Sequence, residues 1–258
     1  DFGKTGLSGT CFDFVMQKYQ LDYQQALDKI ANDFNLATST PIVCNSSPVI
    51  YTPKPRADLK IIAKKFTGEE LRYWNRYAQD ISDLKREHVY SVDRLYVNGK
   101  FTSIDKDLCF AYLFIDGDKE YLKIYRPFAK DKKDKFKTNV PGDFISGWDH
   151  VKNGGKKALI TKSKKDELCA LKIFRNTCST QSENTTAIGP DKISFFQEHF
   201  DETIVGFDGD LTGVKACTYY NQFGFGYLNL PKNLYLDGTK DFADMTANFG
   251  IGILQQFF

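Results

Sequence analysis

The sequence predicts an α/β chain, α+β overall, in which a parallel sheet flanked by helices follows a mixed α+β region and a short helical N-terminal segment. From Lys156 onward, short apolar strands alternate with helical stripes, the pattern of a parallel sheet covered on both faces. Between residues 89 and 126, β-branched and aromatic runs flank the turn dipeptide Asp116-Gly117. Residues 11–36 carry apolar positions at helical spacing, after which periodicity stops.

At the N-terminus, Phe12, Val15, Met16 and Tyr19 share one helical face. Asp22 is placed to cap a second helix whose stripe is Ala26, Leu27, Ile30, Ala31 and Phe34. Residues 37–57 are rich in Ser, Thr and Pro and read as a linker. Thr67 with Glu70 makes a capping box, and Leu71, Trp74 and Ala78 continue a helix expected to end before Ser82. Strands are expected at 89–97, 108–115 and 120–126, and the run from Lys130 to Lys137 is too charged to be buried. The alternating region then gives strand 158–161, helix 163–175, a short strand near Cys178 and helix 190–199. Strand 203–207, helix 211–221, a strand from Tyr227 to Leu230 and helix 241–248 complete it.

The 258 residues are 41% hydrophobic and 26% charged, a globular and soluble composition with no apolar run near the roughly 20 residues of a membrane span. No signal peptide is visible, so a cytoplasmic location is expected. The first residue is Asp1 rather than Met, from which a longer protein is expected. Six cysteines (Cys11, Cys44, Cys109, Cys169, Cys178, Cys217) stand singly, without CxxC spacing, so no zinc is expected within this chain. The net charge of +2 conceals an asymmetry: residues 119–165 hold 14 Lys and Arg against 5 Asp and Glu, whereas residues 197–258 hold 3 against 8. A basic stretch followed by an acidic one suits a protein that holds phosphates on one surface and metal ions on another, although a solvated lysine-rich loop gives the same composition.

The segment TIVGFDGDLTGVKA, residues 203–216, concentrates the chemistry. An apolar strand runs into Asp208, Gly209 and Asp210, and a helix begins directly after, so both carboxylates fall at the carboxyl end of a parallel strand, where such sheets bind ligands. Two acids around a glycine turn can bracket a hard divalent cation, and magnesium, or manganese, suits oxygen ligands of this kind. A plain turn at Asp208 with a helix cap at Asp210 is the structural alternative. His88, His150 and His199 stand far apart with no nucleophile signature nearby, which argues against a hydrolase triad.

FDGDLTGVKA resembles the Tyr/Phe-Asp-Gly-Asp-x-Ala-Gly-x-x-Ala signature of the TOPRIM family, specifically of DnaG-type phage and bacterial DNA primases. The match runs through Phe207, Asp208, Gly209, Asp210, Gly213 and Ala216, with Thr212 where Ala is usual. KKALITKSKKDELCAL (156–171) is similar to the family's first strand and helix, VxEGxxD, with Asp166 on its aspartate. The family glutamate falls on Lys162, with Ser163 in place of glycine; Glu167 and Glu183 are the candidate substitutes. GTKDFADM (238–245) resembles the GxDPDxL segment and sets Asp241, with Asp244, beside the metal site. LKIYRPF (122–128) and KFKTNV (135–140) resemble the basic motifs of the preceding subdomain, and residues 6–34 resemble the tail of the primase zinc ribbon and the helices after it, without ligand cysteines.

The resemblance implies four segments: 1–40, the tail of a zinc-ribbon-like module; 41–57, a linker; 58–155, a primase N-terminal subdomain with a basic groove; and 156–258, a TOPRIM domain. It implies a magnesium-dependent nucleotidyl transferase that makes short RNA primers on single-stranded DNA from ribonucleoside triphosphates. Asp208, Asp210 and Asp241 would hold metal, and Lys162 and Asp166 would complete the catalytic set. Lys123, Arg126, Lys135, Lys137 and Lys164 would line the template and nucleotide groove. Tyr121, Tyr125, Phe128 and Phe136, interleaved with those lysines, serve either base stacking or core packing. A replicative helicase is expected in trans or beyond Phe258, and no membrane partner is expected. Because a charged lysine cannot ligate magnesium, the alternatives are a catalytically silent TOPRIM protein that binds nucleic acid or a replication partner, and a TOPRIM nuclease.

Overall fold

The structure, a computed structural model, describes residues 10–35, 56–104, 107–228 and 238–256. The chain divides into two compact units, residues 1–55 and 56–258. In the first, helix α1 (Cys11–Tyr19) is capped by Thr10 and helix α2 (Tyr23–Asp33) by Asp22, whose carboxylate accepts the Gln25 amide as the sequence predicts. Most of the expected linker lies outside the described residues.

The second unit contains an antiparallel and a parallel sheet. Strands β1 (Leu59–Lys64), β2 (Val89–Val97), β3 (Lys100–Thr102), β4 (Phe110–Asp116), β5 (Lys119–Tyr125) and β6 (Phe136–Thr138) form the first, in the order β1-β2-β4-β5-β6 with β3 on β2. The hairpin at Asp116-Gly117 forms as expected: β4 and β5 pair from Phe110↔Tyr125 to Asp116↔Lys119, and Gly117 takes a φ of 58°. β1 was not expected, because its burial is confined to Leu59 at one end and no alternation announces it.

Helix α3 (Gly68–Asn75) starts at the predicted Thr67/Glu70 capping box but stops short of the expected end. Ala78 adopts a φ of 56°, which no helix continues through, and Asp80 caps a separate helix α4 (Ile81–Arg86). α3 lays Trp74, fully buried, against Tyr73, Tyr77, Phe110 and Tyr112. The same core continues into Leu168, Phe242 and Met245, which lie on the helices Lys164–Ala170 and Phe242–Phe249 that follow.

After the short helix α5 (Trp148–Val151), the parallel sheet is built from β7 (Gly155–Thr161), β8 (Thr177–Ser179), β9 (Phe200–Gly206) and β10 (Gly226–Tyr227), in the order β10-β9-β7-β8. Helices α6 (Lys164–Ala170), α7 (Pro190–His199), α8 (Leu211–Asn221) and α9 (Phe242–Phe249) accompany it. Side chains alternate across the strands as the pleat requires. Ala158, Ile160 and Val205 cluster with Phe196 of α7 and with Ala216, Cys217 and Tyr220 of α8, whereas Leu159 and Ile204 cluster with Ala170 of α6. Burial on both faces explains why ALI and TIVG read as unbroken apolar runs. α6 ends five residues before the expected 175, and the expected strand end at 229–230 lies outside the described residues. Among the described residues no helix is long and apolar enough to cross a membrane.

Truncating the centre of the shared aromatic core should be costly. Trp74→Ala is expected to destabilise the second unit by about 3–5 kcal/mol, read from urea unfolding followed by circular dichroism.

Candidate functional site

In the parallel pair β7–β9, Thr161 lies opposite Gly206. The chain therefore delivers Lys162 from one strand and Phe207-Asp208 from the next to the same carboxyl edge. The Lys162 ammonium lies directly against Asp208 Oδ2 and 3.5 Å from Asp241 Oδ2. Lys240 adds a second cation 3.5 Å from the same Asp208 oxygen.

Two of the acids also serve as helix caps. Asp210 caps α8, its Oδ1 accepting the Thr212 and Gly213 amides at 3.0 and 3.1 Å, so the structural alternative holds for this residue without consuming its other oxygen. Asp241 caps α9 and accepts the Asp244 amide at 2.7 Å. The turn between Asp208 and α8 requires Gly213, since a Cβ there would fall 2.0 Å from the Asp208 carbonyl oxygen.

Glu183, from the loop after β8, joins this edge. Glu183, Asp208 and Asp210 bring carboxylate oxygens within 4.8 Å of one another, and Glu183 Oε2 accepts the Asp208 amide at 3.3 Å. Asp208 is 2% exposed and pairs with Lys162 and Lys240, and its Oδ1 has no hydrogen bond. A buried oxygen left so is costly unless a cation meets it. The donor set is all oxygen, which fits a hard divalent ion such as magnesium. Burial pushes the Asp208 carboxyl up against the opposing pull of Lys162, and pushes Glu183 up with Asp208 adding to the effect. Burial works against charge on Lys162, but Asp166, Asp241 and Asp208 together hold its pKa above the ordinary lysine value.

Asp166 is buried beneath this cluster. It accepts the Ser163 hydroxyl at 2.6 Å and the Ala243 amide at 3.0 Å, tying the start of α6 to the start of α9. Glu167, the other candidate substitute, turns elsewhere: it accepts Lys164 at 2.6 Å and the Ser179 hydroxyl at 2.6 Å. Lys164 is buried, and its ammonium also donates to Glu87 at 3.0 Å, where His150 makes a further contact at 3.2 Å. This ion group borders a cleft of about 840 Å3 that Arg86, Trp148 and Lys192 help to line.

The remaining basic residues occupy unlike environments. Lys135 is depressed first by burial and then by Lys165, Lys240 and Lys162, which places it within the field of the carboxylate edge. Lys123 is depressed to about 8 by burial, donates to Gln181 at 3.2 Å and lies over the Phe136 ring. Lys137 pairs with Asp134 at 2.9 Å, and Arg126 is buried 3.6 Å from Asp107. Of the interleaved aromatics, Tyr125 is core, bonded to the Tyr73 hydroxyl at 2.7 Å, whereas Phe128 and Phe136 are 56% and 43% exposed.

Burial, Asp241 adding to it and Lys162 and Lys165 opposing, pushes the Asp166 carboxyl from 3.8 up to about 7. The folded chain therefore holds one proton more than the unfolded chain between those values, and its stability falls as pH rises through that window. With divalent ions chelated, urea unfolding at pH 4.5 and 7.5 should show a loss of stability that Asp166→Asn reduces by on the order of 3 kcal/mol.

No protein-family model matches the chain, and no curated protein matches it. Solved structures do. The primase fragment of the bacteriophage T7 primase-helicase protein matches at a TM-score of 0.54 and 18% identity, over 82% of this chain and 82% of that one. The zinc-binding and RNA polymerase domains of the Aquifex aeolicus primase match at 0.52 and 12% identity, over 96% of this chain and 69% of that one. A DnaG primase catalytic domain bound to single-stranded DNA matches at 0.50 and 11% identity, over 72% of this chain and 71% of that one. Two sheets, one antiparallel and one parallel, in a chain similar to all three give this protein the fold of DnaG-type primases.

Proposed function

We propose that the chain is a DNA primase that joins ribonucleotides on a single-stranded DNA template. The observation that carries the reading is the carboxylate edge of Glu183, Asp208 and Asp210, with a buried oxygen that receives no hydrogen bond, inside a DnaG-type primase fold. In this reading residues 156–258 are a TOPRIM domain, residues 58–155 the primase subdomain before it, and residues 1–40 the tail of a zinc-ribbon-like module. Glu183, Asp208 and Asp210 would hold magnesium, which when bound neutralises triphosphate charge and favours an ionised 3′ hydroxyl. Asp241 and Asp166 act from α9 and α6, fixing Lys162 and the helix starts around those oxygens.

Lys135 and Lys240 would supply cations to an incoming triphosphate, and the exposed rings of Phe128 and Phe136 would stack on template bases. Lys164, buried on Glu87 and Glu167, and Arg126, buried 3.6 Å from the partly exposed Asp107, would serve as structural cations in this reading. A helicase partner in trans accompanies this reading.

The contact between Lys162 and Asp208 favours a second reading, a nucleic-acid-binding scaffold without catalysis, because that lysine occupies space beside the metal-holding oxygens. Labelled ribonucleotides, magnesium and single-stranded template separate the two. Short RNA products are expected, and Asp208→Ala should lower their yield by orders of magnitude while circular dichroism shows the fold retained; template binding without product would establish the scaffold.

Salt dependence provides an independent check on the groove. Binding of single-stranded DNA should weaken linearly in log–log form with salt, and Lys135→Ala should reduce the slope by about 0.7, the contribution of one neutralised phosphate.

A further inference from the structure

The carboxylate edge has two cation positions of different kind. On one side, Asp208 Oδ1 is buried without a hydrogen bond, and the Glu183 and Asp210 carboxylates stand within 4.8 Å of Asp208. On the other, Asp208 Oδ2 and Asp241 Oδ2 face each other across Lys162, whose ammonium touches the first and lies 3.5 Å from the second. Lys162 is only partly exposed, its side chain at 18%, and its backbone is fixed by the β7–β9 pairing immediately before it. The ammonium is thus tethered in the space between two carboxylates that would otherwise have to be bridged by a free ion.

We propose that Lys162 is a built-in replacement for one divalent cation, so that this centre takes a single ion, on Glu183, Asp208 and Asp210, and uses the lysine ammonium between Asp208 and Asp241. This rests on the primase reading only for its catalytic meaning; the ion count follows from the geometry. A divalent ion placed between Asp208 and Asp241 would lie in van der Waals contact with a positive charge, in a site that screens poorly because it is mostly buried. The Glu183 side lacks that obstacle. Lys240, 3.5 Å from Asp208 Oδ2, adds a second positive charge on the Lys162 side and keeps the asymmetry between the two positions.

The test counts manganese ions bound to the full chain, from the free-ion signal in electron paramagnetic resonance. The quantity read is the number of ions lost when Asp208→Asn is introduced, which subtracts sites elsewhere on the surface. One ion should be lost from the parent protein. Two should be lost in the Lys162→Glu background, where the charge changes by the two units that one divalent ion supplies. Lys162→Gln keeps the experiment decisive if the glutamate variant fails to fold, since it removes the ammonium without adding an acid; a second ion is expected there as well, with weaker affinity. Loss of two ions from the parent, loss of none, or an unchanged count in both Lys162 variants overturns the proposal. Primer synthesis with a two-ion parent would refute the ion count and leave the primase reading standing. A one-ion parent that makes no primers would do the reverse.

Discussion

Thr161 pairs with Gly206 in the parallel ladder of β7 and β9, and the residues that follow are a lysine and, after Phe207, an aspartate. Parallel strands discharge their chains at one edge, so opposite charges are set side by side by register alone, before any side chain chooses a rotamer. Gly213 then allows α8 to start close enough that its first turn passes over the Asp208 carbonyl. Everything else at the edge is arranged around that pair: Asp241 reaches it from the cap of α9, Lys240 from the residue before, and Glu183 from the loop after β8.

The start of α6 shows how the surrounding charge is partitioned. Lys162, Lys164 and Lys165 are nearly consecutive, yet their ammonium groups go to separate places. Lys162 meets Asp208 and Asp241; Lys164 is buried between Glu87 and Glu167; Lys165 lies 4.6 Å over the Tyr77 ring and feels Asp241 and Asp166. A strand that turns into a helix changes side-chain period from two to 3.6, which separates neighbours in this way. The Lys164 group fastens α6 to the end of α4, while Asp166, on the same turn, fastens it to α9. A single seven-residue helix therefore couples the antiparallel half of the unit to the carboxylate edge.

Much of this was legible in the sequence, and the parts that were not share a cause. The Asp22 cap, the Thr67/Glu70 box, the hairpin at Asp116-Gly117 and the alternation after Lys156 are local patterns, and each formed close to its expected place. The break at Ala78 escaped because a positive φ in alanine is imposed from outside, by the docking of Gln79 onto the Leu168 carbonyl. Glu183 carried no spacing signal, since it meets Asp208 across 25 positions by way of a loop. Lysine and arginine advertise charge but not depth: Lys164 finds Glu87 at a separation of 77 residues, and Arg126 looks like a surface cation until β5 buries it. Sequence periodicity reports which face a residue takes within its own element, not which partner another element brings to it.

The buried Asp208 oxygen that receives no hydrogen bond brings stability and function into opposition. Hydrogen-bond partners for a carboxylate are easily supplied in a fold; Asp166, a short distance away, receives two. Asp208 receives the Lys162 and Lys240 ammonium groups at one oxygen and no hydrogen bond at the other, an arrangement that costs folding energy in the absence of further charge. Local rules are broken most often where a site needs the unsatisfied group. Lys162 limits that cost by neutralising one side of the carboxylate from within the chain, and so leaves Oδ1, facing Glu183 and Asp210, as the position where an ion from solution gains the most.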